Sequence, residues 1–133
     1  MNSRNLMIAT SAYLAAGGIA ALFAPAELLA ALGAPATEPL PVLVQLLGSL
    51  YFAFAIVNWM AKDNAIGGIY SRPLAMANWG HFFAGGAVLA RHAAAHGVRA
   101  PLAVVLVVYI TLALCFGYVA FGPGPVRKDG ARG

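Results

Sequence analysis

The chain has 133 residues, 62% of them hydrophobic and only 9% charged, where an ordinary soluble domain carries roughly 25% charged residues. That imbalance excludes an ordinary water-soluble globule and leaves room for one integral-membrane domain over residues 1–133. The formal charge of +4 would suit a nucleic-acid partner, but the basic residues sit singly at the ends of apolar stretches rather than on one face, so no such partner is expected.

Four apolar stretches follow one another, at about 6–24, 40–61, 73–96 and 101–121. A helix crossing a ~30 Å hydrocarbon core needs about 20 mostly apolar residues, so each stretch reads as a span. The expected fold is therefore all-α, a four-helix transmembrane bundle. The first span follows Arg4 and ends near Ala24-Pro25-Ala26, small residues of the kind found at signal cleavage sites. Its length exceeds the roughly 7–15 residues of a signal core, so it is read as a retained helix. Ala12, Ala16, Ala20 and Ala24 recur at four-residue intervals beside Gly17 and Gly18, and this small-residue stripe is the expected packing face.

Pro25 stops the first span. The segment Pro25–Gly33 reads as a short helix closed by Gly33, with Leu28, Leu29 and Leu32 on one face and too few residues to cross a membrane. It is expected to lie along the interface. Pro39 and Pro41 open the second span, which carries Gln45, Ser49 and Trp59 on one face and ends at Asn58-Trp59-Met60-Ala61-Lys62. Gly67-Gly68 then permits a tight reversal, and Pro73 suits the first turn of the third span. That span ends at Gly97, and Pro101 begins the fourth. The tail 122–133, with four Gly and two Pro, reads as flexible.

With four spans both chain ends share a side with Arg4, Lys62, Arg72, Arg127, Lys128 and Arg132, leaving only Arg91 and Arg99 opposite. Basic residues concentrate on the cytoplasmic side of membrane proteins, so both termini are expected to be cytoplasmic in a multi-pass protein of the cell membrane, a bacterial inner membrane included.

Polar groups inside a membrane are costly and are the first functional candidates. His81 is the foremost, with Asn78 one turn away. It could serve as a metal or haem ligand, a proton carrier, or a donor to a quinone. It could equally bond across the bundle to Ser49, Tyr51 or Asn78 and set the helix register. His92 and His96 stand four residues apart on one helix face, the spacing that permits joint metal coordination. They also sit where a helix C-terminus favours cationic groups. Around the reversal, Asn58, Trp59, Arg72, Asn78 and Trp79 could form a binding patch with Lys62, Asp63, Asn64 and Tyr70. The single cysteine, Cys115, rules out electron transfer through a cysteine pair within one chain. No carboxylate falls inside a span, unlike in small proton-coupled exporters, and no nucleophile elbow or phosphate loop is present.

Gly17-Gly18 in the first helix, the Phe23-Ala24-Pro25 stop, the short helix closing at Gly33 and Leu47-Gly48-Ser49-Leu50-Tyr51 in the second span resemble the DoxX-like superfamily of small four-helix bacterial membrane proteins. The resemblance covers residues 6–61. It implies a four-span fold and, by way of some members, an association with respiratory or thiol-redox assemblies. Family members often carry an Arg inside the first helix and a Lys near its end. Neither is here, so no functional residue carries over.

These readings converge on a non-enzymatic membrane protein, an accessory subunit or a lipid- or quinone-contacting module. Its partners would be membrane lipid and other transmembrane subunits or further copies of itself. The alternative is a small redox or metal-handling protein using His81, His92 and His96.

Overall fold

A computed structural model describes residues 3–63 and 71–122. The chain forms five helices, α1 (Ser3–Phe23), α2 (Pro25–Ala31), α3 (Leu40–Ala61), α4 (Ser71–His96) and α5 (Ala100–Phe121), with no strand among the described residues. Asn64, the Gly67-Gly68 reversal, Tyr70 and the basic tail lie outside the described residues. Prolines occupy the first turns of α2, α3 and α5, where a missing N–H leaves no helix bond unmade. Gly33 and Gly97 follow α2 and α4 with φ of +74° and +80°, the left-handed conformation that glycine adopts without penalty. At 1.5 Å per residue the 22-residue α3 and α5 are about 33 Å long, close to a hydrocarbon core.

Among the described residues three helices, α1, α3 and α5, are long and apolar enough to cross a membrane. The 26-residue α4 has the length, but Asn78, His81, Arg91, His92 and its glycines dilute its apolar character and keep it out of that set. Large apolar side chains point outward from all four long helices, among them Ile19, Leu46, Val88 and Leu114.

α1 and α3 run antiparallel at close range. Ser11 donates to the Ala55 carbonyl at 2.7 Å, Gln45 donates to the Leu22 carbonyl at 3.1 Å, and Arg4 meets Asp63 at 2.8 Å. Midway between, Gly18 faces Gly48 backbone to backbone: a Cβ on Gly18 would lie 2.9 Å from the Gly48 carbonyl oxygen and 2.9 Å from the Phe52 nitrogen. The packing face of α1 is thus Ser11, Leu14, Gly18 and Ala21, all buried, and not the alanine stripe. Ala12 and Ala16 are exposed and Ala20 is only partly covered. The reason is steric. A residue without Cβ admits the opposing backbone most closely, so α1 turns Gly18 toward α3, with Ala21 against Gly48 beside it, and leaves Ala12 and Ala16 outside.

α4 and α5 form a second antiparallel pair. Phe82 stacks on Phe116 with ring centroids 6.1 Å apart, Trp79 meets Phe121 edge-on at 5.1 Å, and the Tyr109 ring rests on Gly85 where a Cβ would collide with it. The two pairs are joined through side chains, Asn58 to Asn78 and a group of rings between α3 and α4. These contacts place the start of α1, the end of α3, the start of α4 and the end of α5 at one end of the molecule. At the opposite end α2 tucks Leu29 inward while Leu28 and Leu32 face out, which splits the leucine face expected for it.

At the Arg4 end the Arg4 guanidinium, bonded to Asp63, holds that exposed carboxyl below the usual carboxylate range, with Lys62 adding to the effect.

Gly18→Ala is expected to lower stability by about 1–3 kcal/mol, because the new methyl meets backbone that cannot move aside. Gly80→Ala, which enters open space, should leave stability unchanged or slightly raised. Thermal unfolding of both variants in detergent would check this. Equal melting of Gly18→Ala and the unsubstituted protein would refute the backbone contact.

Candidate functional site

Each long helix contributes one polar ring to a single layer at mid-height: Tyr13 from α1, Tyr51 from α3, His81 from α4 and Tyr109 from α5, each near the midpoint of its helix. His81 is the hub. Its imidazole lies 4.9 Å from the Phe82 ring, 5.4 Å from Tyr51, 5.6 Å from Tyr109 and 5.8 Å from Phe54, so rings surround it. Tyr51 and Tyr109 share a hydrogen bond between their hydroxyls, and the Tyr109 hydroxyl reaches His81 Nε2 at 3.4 Å. Tyr13 meets Tyr109 edge-on at 6.5 Å. Edge-to-face contacts of this kind place the positive rim of one ring on the negative face of another.

Glycine makes this layer possible. With no side chain at Gly85, the Tyr109 ring can lie directly against α4 and bring its hydroxyl to both Tyr51 and His81. The bond to His81 therefore comes from Tyr109 rather than from Ser49, Tyr51 or Asn78. Ser49 donates to its own helix at the Leu46 carbonyl, 2.7 Å away, and Tyr51 presents its ring to His81 edge-on.

Closer to the Arg4 end lies a second buried polar pair. Asn58 and Asn78 are fully buried and exchange two side-chain hydrogen bonds, each of 3.0 Å. Each amide also donates to the carbonyl four residues back in its own helix, Asn58 to Phe54 and Asn78 to Leu74, both at 2.9 Å. The two amides thus answer one another's donors and acceptors, as buried polar groups must. One buried oxygen among the described residues, the Thr10 hydroxyl, has no partner.

The candidate patch around the reversal resolves into separate environments. Asn58 and Asn78 are spent on each other. Trp59 is exposed, with the Lys62 ammonium 4.2 Å from its ring centroid. Trp79 stacks on Phe83 at 5.1 Å and covers Gly117. Arg72 is exposed at the start of α4, and His81 belongs to the central layer.

His92 and His96 stack at 4.6 Å with an interplanar angle of 22°, exposed at the far end of α4, and His96 Nδ1 lies 3.3 Å from the His92 carbonyl. Eleven residues separate His81 from His92, about 16 Å along the helix, so the three histidines do not converge. Among the described residues no three of His, Cys, Asp and Glu come together as a metal site would require. Tyr13 and Tyr109 are the site residues that sequence reasoning passed over. Their signal is positional, a polar ring at the middle of each apolar stretch.

Comparison with known proteins finds no matching family model, no matching curated protein and no matching solved structure.

The asparagine pair generates a quantitative expectation. Asn58→Ala and Asn78→Ala each strand a buried amide, so each single variant should lose about 0.6–2 kcal/mol. The double variant should lose less than the two singles added together. Detergent unfolding of all four proteins would measure the coupling, and strict additivity would remove the pair from the structure's account.

Proposed function

We propose that the chain is a small, non-enzymatic membrane protein that crosses the bilayer four times with both ends in the cytoplasm. It acts as an accessory subunit or as a lipid- or quinone-contacting module. The observation that carries this reading is the distribution of polarity. Large apolar side chains face outward along every long helix, while three of the four polar rings at mid-height, Tyr51, His81 and Tyr109, are bonded to one another. A structure whose mid-height polar atoms are occupied in this way gains cohesion from them and does not hold them open for a reaction. The antiparallel order of the helices, with α1 starting where α5 ends, supports an even number of crossings. The likeness of residues 6–61 to the DoxX-like superfamily is part of the same proposal and agrees with four spans.

α4 is the decisive element. In this reading its polar side chains are accommodated because Asn78 and His81 face neighbouring helices, while Arg91, His92 and His96 lie near its end, within reach of the headgroups.

The alternative, a redox or metal-handling protein, draws support from the stacked His92–His96 pair. It narrows there to a surface site, because His81 stands apart. Elemental analysis and an absorption spectrum of the purified protein separate the two readings, and a colourless, metal-free preparation ends the alternative.

The topology is tested by single cysteines in a Cys115→Ser background. Thr37→Cys and Val98→Cys should react with an impermeant maleimide in intact cells, and Asn2→Cys and Ala131→Cys only after permeabilisation. Labelling of the two chain ends from opposite faces would overturn the four-span reading. Gentle solubilisation should also yield a complex larger than the monomer, and a strictly solitary chain would remove the subunit version.

A further inference from the structure

We infer that the end of the molecule opposite Arg4 carries a binding site for the headgroup of an anionic phospholipid, built from Arg99, Arg91 and the apolar edge of α2. The inference rests on the membrane reading above. Arg99 precedes α5, and its guanidinium lies directly over Gly33, in the space that a side chain at that position would fill. The turn between α4 and α5 is thereby brought against the end of α2. Arg91 stands on the last turns of α4 with His92 and His96 beside it, and both arginines are exposed.

The chemistry of this end is unbalanced in one respect. The carboxylates on the same side are Glu27, in the first turn of α2, and Glu38, before α3. Neither forms an ion pair with Arg91 or Arg99, whereas at the opposite end Asp63 engages both Arg4 and Lys62. Glu27 stands in the first turn of α2, at the far end of that helix from Gly33. Two guanidiniums without carboxylate partners therefore remain at this end, and Arg99 stands next to exposed apolar side chains: its neighbour Val98 is 60% exposed and Leu32, before Gly33, 51%, while Phe23 at the end of α1 is 83% exposed.

That juxtaposition fits one occupant. A guanidinium offers a planar fork of donors that matches two phosphate oxygens, and an acyl chain below the phosphate would cover Phe23 and Leu32. An anionic lipid is favoured over a zwitterionic one because the latter brings its own ammonium to the phosphate and repels the guanidiniums. The arrangement also gives α2 a purpose. Its short length cannot cross the bilayer, but it can lie at headgroup depth and hold Gly33 beneath Arg99.

The test uses the full-length protein in detergent, titrated with phosphatidylglycerol or phosphatidylcholine and read by native mass spectrometry and by melting temperature. Phosphatidylglycerol should be retained and should raise the melting temperature, with phosphatidylcholine and inorganic phosphate doing neither. Each arginine within reach of an anionic lipid surface contributes about fivefold in affinity, so Arg99→Gln should weaken retention about fivefold and Arg91→Gln with Arg99→Gln about 25-fold. Arg72→Gln, at the other end, should leave it unchanged. Equal retention of both lipids, or equal loss from Arg72→Gln, would overturn the site. A chain that stays soluble without detergent would instead overturn the membrane reading itself, so the two failures are distinguishable.

Discussion

Five polar side chains in the interior of this protein, Tyr51, Asn58, Asn78, His81 and Tyr109, bond to one another, and the register of α3, α4 and α5 follows from that constraint. A hydroxyl, amide or imidazole carried to the middle of an apolar helix loses its water and costs free energy until another group replaces it. Tyr51, His81 and Tyr109 meet this requirement jointly, and Asn58 and Asn78 meet it as a pair. Each solution ties α3 to α4 or to α5. Helices that could otherwise slide past each other on featureless apolar surfaces are held at one register.

The two kinds of helix contact do different work. Between α1 and α3 the backbones approach because Gly18 and Gly48 have no side chains, and the gain is van der Waals contact along a long seam. Between α3 and α4 the space is occupied by His81, Phe54 and Tyr51, whose rings keep the helices apart while bonding or packing across the gap. The molecule is thus two close helix pairs joined by a polar and aromatic layer and by an apolar core in which Met7 and Leu14 cluster with Phe82 and Phe116. The glycine seam supplies proximity without direction, whereas the hydrogen bonds supply direction with few contacts. Cohesion needs both.

The helices themselves were legible in the sequence, because length and apolarity set them and because prolines and glycines mark their ends: α2 and α4 close at the expected Gly33 and Gly97, both left-handed. Rotation about each helix axis was harder to read. The alanine stripe of α1 has the right spacing for a packing face, yet the close approach of Gly18 to the α3 backbone and the Ser11 bond to Ala55 fix a different rotation. The repeated Asn-Trp dipeptide looks like coincidence along the chain, since nothing in the spacing of residues 58 and 78 shows that two amides will be brought face to face. The central layer depends on partners from four separate helices, and its tyrosines differ from ordinary interface tyrosines only in standing at mid-helix.

The same geometry separates the three histidines into two chemical settings. His81 stands among Phe54, Phe82, Tyr51 and Tyr109, with the Tyr109 phenol 3.4 Å from its Nε2. His92 and His96 stand at the exposed end of the same helix, about 16 Å away, beside Arg91. A ligand that engaged His81 through Nε2 would have to displace Tyr109 and lose the bond that the missing side chain at Gly85 allows. One that engaged His92 and His96 would displace nothing but the weak contact of His96 with its own helix. Among the described residues, the two exposed imidazoles at the end of α4 are thus the more open pair, and the third is held in the ring layer that joins the helices.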